Sequence, residues 1–350
     1  MQTDPARSAS PEFPIPVEEF LASALHDPQF GYYRTRAPAP GRTGDFATAP
    51  TLHPVLGRAI AAWIRSGGSQ APRSVIELGG GDGSLLAGVL AALGWWGRCS
   101  RHFHVVDTAV RMREVQRKRL AANRNVQWHE TIESALDAAG GAALIYSNEF
   151  VDAFPCALLE RTPEGWREVR VTRPACGIPI ESLGPVVTNI RGVQASAIVD
   201  WPDAPLGQRV EVHAAYAEWL RGWVSAWKIG AMLTIDYGDT LPGLYRRRPR
   251  GTLRGYLHHT EVRGLDVYRN PGRQDLTADV NFTDLERWGQ TLGLRPASRH
   301  TLRAFVHAML PRETHDTDPL LRQLLDPAGA GGAFQVLEQL PPHAAAAPIK

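Results

Sequence analysis

The chain has 350 residues, enough for one large α/β domain with additions or for two small domains. Its net charge of +2 neither supports nor excludes nucleic-acid binding, since binding to phosphate needs a clustered basic face. The one dense basic run, 246–250, is interpreted as a solvated loop. Three separated cysteines without a CxxC pair, and histidines without an HExxH, predict neither disulfides nor a metal site. With no apolar run of membrane-spanning length, the sequence predicts a soluble cytoplasmic protein without a nucleic-acid partner or membrane insertion, and leaves its oligomeric state open.

Composition also divides the chain. We expect an N-terminal helical segment with a loop at 1–66, a main α/β domain at 67–310 and a tail at 311–350. An insertion of strands and loops is expected at about 158–208, where Gly, Pro and Thr interrupt the helical rhythm. The first dozen residues and the tail, which is rich in Ala, Gly and Pro, are predicted to be loosely ordered.

Short apolar runs alternate with helical patterns along the main domain, which predicts a mostly parallel central sheet with helices on both faces. The predicted helices are Val55–Ile64, Ser84–Leu93, Val110–Ala121, His213–Trp227 and Asp284–Thr291, the last opened by a capping box of Thr283 and Glu286. The predicted strands are Ser74–Leu78, His102–Asp107, Val126–His129, Ala142–Ser147 and Ala231–Ile235. Three tryptophans four residues apart, Trp219, Trp223 and Trp227, form a helical face that could be a binding platform, although packing against the sheet is the expected role.

The most informative local feature is a glycine turn between the first predicted strand and its helix. Gly79, Gly81 and Gly83 follow Glu77 in the spacing GxGxG, whereas a dinucleotide site would need GxGxxG. Two carboxylates, Glu77 just before the turn and Asp82 within it, would repel a pyrophosphate but favour the cationic S-adenosylmethionine (SAM). Asp107 closes the second strand, where an acid meets ribose hydroxyls. The pattern favours SAM over NAD as the cofactor.

Several further segments resemble one family. They are GYY at 31–33, GDFATAP at 44–50, NEFVDAFP at 148–155, DYG at 236–238, GTLRGY at 251–256 and DLTADVNF at 275–282. In this order they resemble the signatures of the MidA-like methyltransferases over roughly residues 30–290. The resemblance implies a class I SAM-methyltransferase Rossmann-like fold with SAM as donor. Mitochondrial members of that family dimethylate an arginine of a respiratory complex I subunit during its assembly, so the resemblance also implies a protein substrate methylated on a guanidino nitrogen.

The sequence departs from the family pattern at three acidic positions, where it has Thr51, Arg58 and Asn281. Missing acids leave the identity of the acceptor open, because carboxylates are the groups that face a cationic guanidinium. Whether one or two methyl groups would be transferred is also open.

Acceptor-handling residues are expected after the fourth strand. Glu149 is the first candidate for orienting an acceptor and Asp152 the second, on the condition that a helical turn puts both carboxylates on one side. The alternative is a helix-capping pair. Asn148 is expected in the cofactor site, and Asp45, in the N-terminal loop, is a third catalytic candidate. Weaker substrate-site candidates are Asp236, Tyr237 and Asp279.

Three other functions stay open at this point. A methyltransferase of a small-molecule acceptor would use the same fold. A non-catalytic SAM-binding assembly factor would keep the glycine turn without turnover. A nicotinamide oxidoreductase is disfavoured by the glycine spacing.

Overall fold

The structure is a computed structural model that describes residues 14–35, 53–172, 178–257, 260–311 and 318–342. Its strands are β1 (Ile15–Pro16), β2 (Ser74–Leu78), β3 (His102–Val106), β4 (Val126–His129), β5 (Ala143–Asn148), β6 (Ala157–Thr162), β7 (Gly165–Thr172), β8 (Ile180–Val186), β9 (Arg209–Val212), β10 (Met232–Asp239), β11 (Arg254–Leu257), β12 (Thr260–Arg263), β13 (Asp275–Thr277), β14 (Val280–Asn281), β15 (Arg295–Thr301) and β16 (Phe334–Leu340). Its α-helices are α1 (Val17–His26), α2 (Tyr32–Thr35), α3 (Val55–Ser66), α4 (Ser84–Cys99), α5 (Val110–Arg119), α6 (Ile132–Ala138), α7 (Ser196–Asp200), α8 (Ala214–Trp223), α9 (Gly243–Arg246), α10 (Phe282–Thr291), α11 (Leu302–Met309), α12 (Pro319–Leu324) and α13 (Ala330–Ala333).

The chain folds into two compact units, each assembled from three segments. The first unit takes the described residues within 1–38, 151–218 and 239–287, and the second takes those within 39–150, 219–238 and 288–350. The contiguous domain boundaries expected from the sequence stay a prediction.

The second unit is built on a sheet whose main path has the strand order β15-β16-β10-β5-β2-β3-β4. The five strands from β10 to β4 are parallel, while β16 runs antiparallel to both β10 and β15. All five residues of β2 are buried, so both of its faces are covered, as expected of a central parallel strand. The predicted α/β class with a mostly parallel sheet is confirmed.

The core of the second unit explains its helices. Apolar residues recur every three or four positions in α3, and its buried Val55, Ile60 and Ile64 belong to one cluster with strand residues such as Val75 and Leu233. Helix α4 extends beyond the predicted Leu93 but breaks at Gly94, whose φ of 69° is non-helical. Of the predicted tryptophan face, Trp223 and Trp227 are fully buried, which confirms packing as their role.

Two sequence predictions about this part of the fold are wrong. Residues 318–342 of the predicted loose tail form α12, α13 and β16, because the alternating apolar residues of β16, such as Val336, belong to the core of the sheet. Thr283 does not cap α10: the helix begins at Phe282, and the Asn281 side chain accepts the Thr283 N–H at 3.2 Å.

The first unit contains two antiparallel sheets. One has the order β1-β7-β6-β9, with β8 also on β7, and the other has the order β12-β11-β13. Helix α1 buries Phe20 and Leu25 in a cluster that includes Val169 of β7 and Tyr268. Strands β6, β7 and β8 and the short α7 lie where the sequence predicts strands and loops.

Candidate functional site

The glycine turn lies at the carboxyl end of β2 and leads directly into α4. Gly79, Gly81 and Gly83 have φ values of 65°, 50° and 81°, a region in which a side chain is strained. A Cβ on Gly79 would lie 2.7 Å from Phe150 Cδ2, so packing excludes a side chain there. A Cβ on Gly81 would meet no atom of the described residues within 4 Å, so among these residues this part of the turn borders open space. The backbone of Gly81 is therefore open to a ligand.

Asp82 stabilises the turn itself. Its Oδ1 accepts the Ser84 N–H at 2.9 Å at the start of α4, and its Oδ2 forms a 2.8 Å ion pair with Arg119. The sequence suggested that this carboxylate would help a cationic cofactor. The structure instead pairs it with an arginine of α5, which offsets much of its charge.

Glu77 is a buried carboxyl group beneath this turn, with 2% of its surface exposed. It lies opposite Tyr146 in the parallel pairing of β2 with β5. Burial raises the pKa of Glu77 to about 8; the Tyr146 hydroxyl lowers it, and the charges of Asp107 and Asp82 raise it further. The group therefore retains its proton at neutral pH in the unliganded protein.

Asp107 follows β3, the strand next to β2, and is held in place from two sides. Its Oδ1 accepts the Ala109 N–H at 2.9 Å, and its Oδ2 accepts the Gln116 side-chain N–H at 2.8 Å. The same Gln116 nitrogen donates to the Gly81 carbonyl at 2.8 Å, which ties the turn to Asp107. Burial raises the pKa of Asp107, whereas these two hydrogen bonds and Arg113 lower it. Each carboxylate oxygen keeps a further lone pair for a ligand hydroxyl.

Glu149 comes directly after β5, the neighbour of β2 on the other side. Its φ is 50°, and among the described residues the only other non-glycine with a positive φ is Arg191. Its backbone N–H donates to the Ile235 carbonyl at 3.0 Å, and its Oε1 accepts the Asn148 side-chain N–H at 3.0 Å. Glu149 is half-buried, so part of the residue reaches the surface, and the Asn148 hydrogen bond restrains its carboxylate.

No helical turn follows Glu149. Residues 149–154 form bends and turns that lead to β6, so the condition under which Glu149 and Asp152 would face the same way is not met. Asp152 belongs to the first unit, where it is buried and accepts the Thr277 hydroxyl at 3.0 Å. Its catalytic role stays a prediction.

The weaker candidates have local partners. Asp236 is fully buried in β10, and its oxygens accept the backbone N–H groups of Phe150 at 3.2 Å and Tyr237 at 3.0 Å. Tyr237 packs edge-on against Phe334. In the first unit, Asp279 accepts from Arg254 at 2.6 Å and pairs with Arg248.

One arginine of the basic run has an acidic partner. Arg248, from the basic run interpreted as a solvated loop, is engaged in this ion pair with Asp279. The substrate roles of Asp236, Tyr237 and Asp279 stay predictions. Asp45 and Thr51 lie outside the described residues.

Three positioning residues were missed by sequence reasoning: Gln116, Tyr146 and Phe150. Gln116 is a fully buried polar residue in a strongly basic helix, and such burial would have marked it as a positioning residue. The sequence alone does not show that burial. Tyr146 meets Glu77 through strand register, which sequence spacing does not fix.

The second unit thus gathers these groups at one edge of its sheet. The glycine turn, Asp107 and Glu149 follow the carboxyl ends of neighbouring parallel strands, and Asn148 is the last residue of one of these strands. An open glycine backbone, an oriented acid and a restrained carboxylate are the parts needed to bind a nucleoside-containing ligand beside a cationic group.

Comparisons with known proteins agree with this geometry. A family model described as "Putative S-adenosyl-L-methionine-dependent methyltransferase" matches residues 55–299. Protein arginine methyltransferase NDUFAF7, mitochondrial, from Danio rerio is 28% identical over 93% of this chain and 83% of its own length. Its namesake from Homo sapiens is 27% identical over 82% of this chain and 69% of its own length.

A crystal structure from Burkholderia thailandensis, bound to S-adenosyl-homocysteine, is 25% identical with a TM-score of 0.77, covering 95% of this chain and 89% of that chain. A second crystal structure from that species is 26% identical with a TM-score of 0.75. The likeness confirms the predicted methyltransferase fold.

The expected location is corrected by the same comparisons. The sequence predicted a cytoplasmic protein, but the relatives from Danio rerio, Mus musculus and Homo sapiens are all named as mitochondrial, so that prediction is wrong. Cysteine spacing reports a reducing environment and does not distinguish between compartments that share it. Among the described residues, no helix is long and apolar enough to cross a membrane.

Proposed function

Since this chain belongs to the family of SAM-dependent methyltransferases that matches residues 55–299, we propose that it methylates a guanidino nitrogen of an arginine in a protein partner. The relatives named as protein arginine methyltransferases support this acceptor. The family resemblance described above supports a respiratory-complex subunit as the partner. The structural observation that carries the proposal is the fixed carboxylate of Glu149.

The predicted cofactor, SAM, is confirmed by the family match and by the relative that binds S-adenosyl-homocysteine. The residues of the second unit fit it: the backbone of Gly81 faces open space, and Asp107 is oriented and keeps lone pairs for ribose hydroxyls. We assign the turn at Gly79, Gly81 and Gly83 and the acid Asp107 to SAM, with Glu77 beneath the turn and Asn148 at the end of β5. The cofactor supplies an electrophilic methyl group on sulfur.

Glu149 gives the acceptor its orientation. A guanidinium is charged and planar, and a carboxylate accepts two of its N–H groups in parallel. This arrangement would direct the remaining nitrogen away from Glu149 and draw positive charge toward the carboxylate. Transfer would make an N–CH₃ bond in place of the S–CH₃ bond, and the guanidinium would then give up one proton. Because its charge is delocalised, that proton could leave from a nitrogen whose N–H already donates to Glu149, and this carboxylate would accept it.

Positional accuracy matters because methyl transfer depends on alignment more than on covalent help from the protein. The positive φ of Glu149, its N–H bond to Ile235 and the Asn148 hydrogen bond together restrict where the carboxylate can lie. Asp236 restrains the next residue through the Phe150 N–H. A carboxylate restrained on both sides is suited to holding an acceptor in line.

The test is to incubate the full chain with methyl-labelled SAM and a lysate containing respiratory-chain subunits, and to identify labelled residues by mass spectrometry. We expect label on arginine of a protein, at a rate that falls in Glu149→Gln. The matched control is Glu133→Gln, which removes an exposed carboxylate on α6.

Other outcomes would redirect the function. Label only in the small-molecule fraction would contradict the protein acceptor. SAM binding without any label would leave a non-catalytic assembly factor. Label on lysine or carboxylate side chains would contradict arginine as the acceptor but would leave a protein substrate in place.

A further inference from the structure

The edge of the second unit's sheet opposite the glycine turn carries an unusual set of side chains. The residues that lead into β2, β3 and β4 lie here, together with the ends of α3 and α4. Segments 64–74, 92–103 and 121–126 contain no aspartate or glutamate. They contain five arginines, which with Trp95 and Trp96 we call the amino edge: Arg65, Arg73, Arg98, Arg101 and Arg124.

Hydrogen bonds join these segments into one surface. Arg65 donates to the Ala92 carbonyl of α4 at 3.0 Å. The Asn125 side chain, next to Arg124, donates to the carbonyls of Arg98 at 2.6 Å and Arg101 at 2.8 Å. The His102 N–H donates to the Arg73 carbonyl at 3.0 Å. The segments that carry the arginines therefore lie side by side. Burial lowers the pKa of Arg101, and the charge of Arg65 lowers it further, so these two cations are close enough to repel each other.

Two tryptophans project from this surface. The break at Gly94 turns Trp95 and Trp96 out of the regular path of α4, leaving them 60% and 80% exposed. Trp96 is the most exposed large apolar side chain in the part of the chain that the structure describes. The other described tryptophans are buried or half-buried, so the pair is a departure from the pattern of this molecule. Exposed apolar groups of this size mark interaction surfaces.

We propose that the amino edge adsorbs to an anionic lipid surface, with Trp95 and Trp96 at the headgroup level and the arginines against the lipid phosphates. Tryptophan favours the membrane–water interface because its ring is apolar while its N–H still finds a polar partner. Clustered arginines without acidic neighbours are attracted to anionic lipid. Both features occur on one face here.

A nucleic acid is the competing occupant, since arginine and tryptophan can also bind phosphate and bases. Bases stack on open ring faces. The two indoles instead contact each other edge to face, with centroids 4.6 Å apart and planes at 81°, so they do not form a flat platform. The geometry fits a lipid interface better.

Adsorption through this edge leaves the glycine turn free, because the two lie at opposite ends of the parallel strands. S-adenosyl-homocysteine should therefore bind equally well with and without vesicles. Binding to vesicles does not depend on which acceptor is methylated, so the two proposals are tested separately.

The experiment is co-sedimentation of the full chain with phosphatidylcholine vesicles, with and without phosphatidylglycerol, at low and high salt. We expect binding only to the anionic vesicles, weakened by salt. Trp95→Ser/Trp96→Ser and Arg98→Gln/Arg124→Gln should each lower the partition coefficient about tenfold or more, and the arginine variant should also reduce the salt dependence. All variants should keep the affinity for S-adenosyl-homocysteine.

The matched control is Ile180→Ser/Val186→Ser, which removes exposed apolar side chains, 60% and 46% exposed, from β8. It should bind vesicles as the unmodified chain does. A readout that needs no variant is quenching of the unmodified protein's tryptophan emission by brominated anionic lipid.

Either of two results with vesicles would overturn the proposal, and so would a preference for nucleic acid. One is no sedimentation with anionic vesicles together with no quenching. The other is unchanged partition of both amino-edge variants. If the unmodified chain binds a single-stranded oligonucleotide but not the vesicles, the edge belongs to nucleic acid and the lipid proposal is wrong.

Discussion

The glycine turn and the segment at Asn148–Glu149 lie at the same edge of one sheet but are built in opposite ways. In the turn, the positive φ values fall on glycines, which adopt them without strain, and Asp82 and Gln116 satisfy its polar groups. In the second segment, the strained residue is itself the reactive candidate, Glu149, held by its neighbours rather than by its own preference. The cofactor side is thus encoded locally, whereas the acceptor side depends on the surrounding fold.

The largest effect should come from Gly81→Val. The branched side chain is strained at a φ of 50° and enters the open space beside the turn. We expect the affinity for SAM, measured by calorimetry, to fall by more than about 100-fold, or about 2.7 kcal/mol. Gly140→Val is the control, because its φ of 61° and open surroundings impose the same strain on a loop at the other edge. Normal SAM affinity in a folded Gly81→Val protein would refute the assignment of the turn.

Glu149→Gln should separate chemistry from cofactor binding. Glutamine keeps the size but loses the charge that orients a guanidinium. Single-turnover methyl transfer should fall by about 100-fold while SAM affinity stays within a few-fold. Unchanged transfer would make the residue structural, and lost SAM affinity would move it into the cofactor site.

Asp107→Ala should weaken SAM and S-adenosyl-homocysteine alike by about 1.5–3 kcal/mol, because both ligands carry the same ribose. Asp137→Ala, which removes an exposed acid at the end of α6, is the matched control. Titration of both ligands decides the matter. A loss confined to SAM would mean that Asp107 responds to the sulfonium charge instead of the ribose.

Glu77 should make the stability of the unliganded protein fall with rising pH. Burial raises its pKa to about 8 from an ordinary 4.5, so between these values the folded protein binds a proton that the unfolded chain has lost. Stability should fall by up to about 1.4 kcal/mol per pH unit across that window. Urea unfolding of the unmodified chain and of Glu77→Gln from pH 5 to 8 isolates this contribution. Parallel pH profiles would show that Glu77 is ionised throughout.

The smallest effect tests the strain at Glu149. Glycine accepts a φ of 50° without cost. We therefore expect the free energy of unfolding of Glu149→Gly, measured with denaturant, to exceed that of Glu149→Ala by about 1 kcal/mol. Both should have lost methyl transfer. Equal stability of the two variants would show that the backbone relaxes when the carboxylate is removed.

The sequence predicted the local parts of this site better than its long-range parts. Strand β4 was predicted with the bounds observed, and the turn from β2 into α4 follows from apolar runs separated by glycines. The pairing of Glu77 with Tyr146 depends on strand register, and the role of Gln116 depends on how α5 lies against the turn, neither of which a single sequence specifies. Strand β16 was missed because the residues before it are typical of turns, and because its strand conformation depends on pairing with its neighbours in the sheet.

Strand β16 has a consequence for synthesis of the protein. It lies between β10 and β15 and pairs with both, although it is the last described strand to be made. Until residue 340 has left the ribosome, β10 presents an unpaired edge whose residues Met232–Ile235 are buried in the finished fold. Unpaired apolar edges recruit other strands. A nascent or prematurely terminated chain that stops before β16 should therefore be a substrate for chaperones and proteases, even though every residue of the glycine turn and of Asn148–Glu149 has already been synthesised.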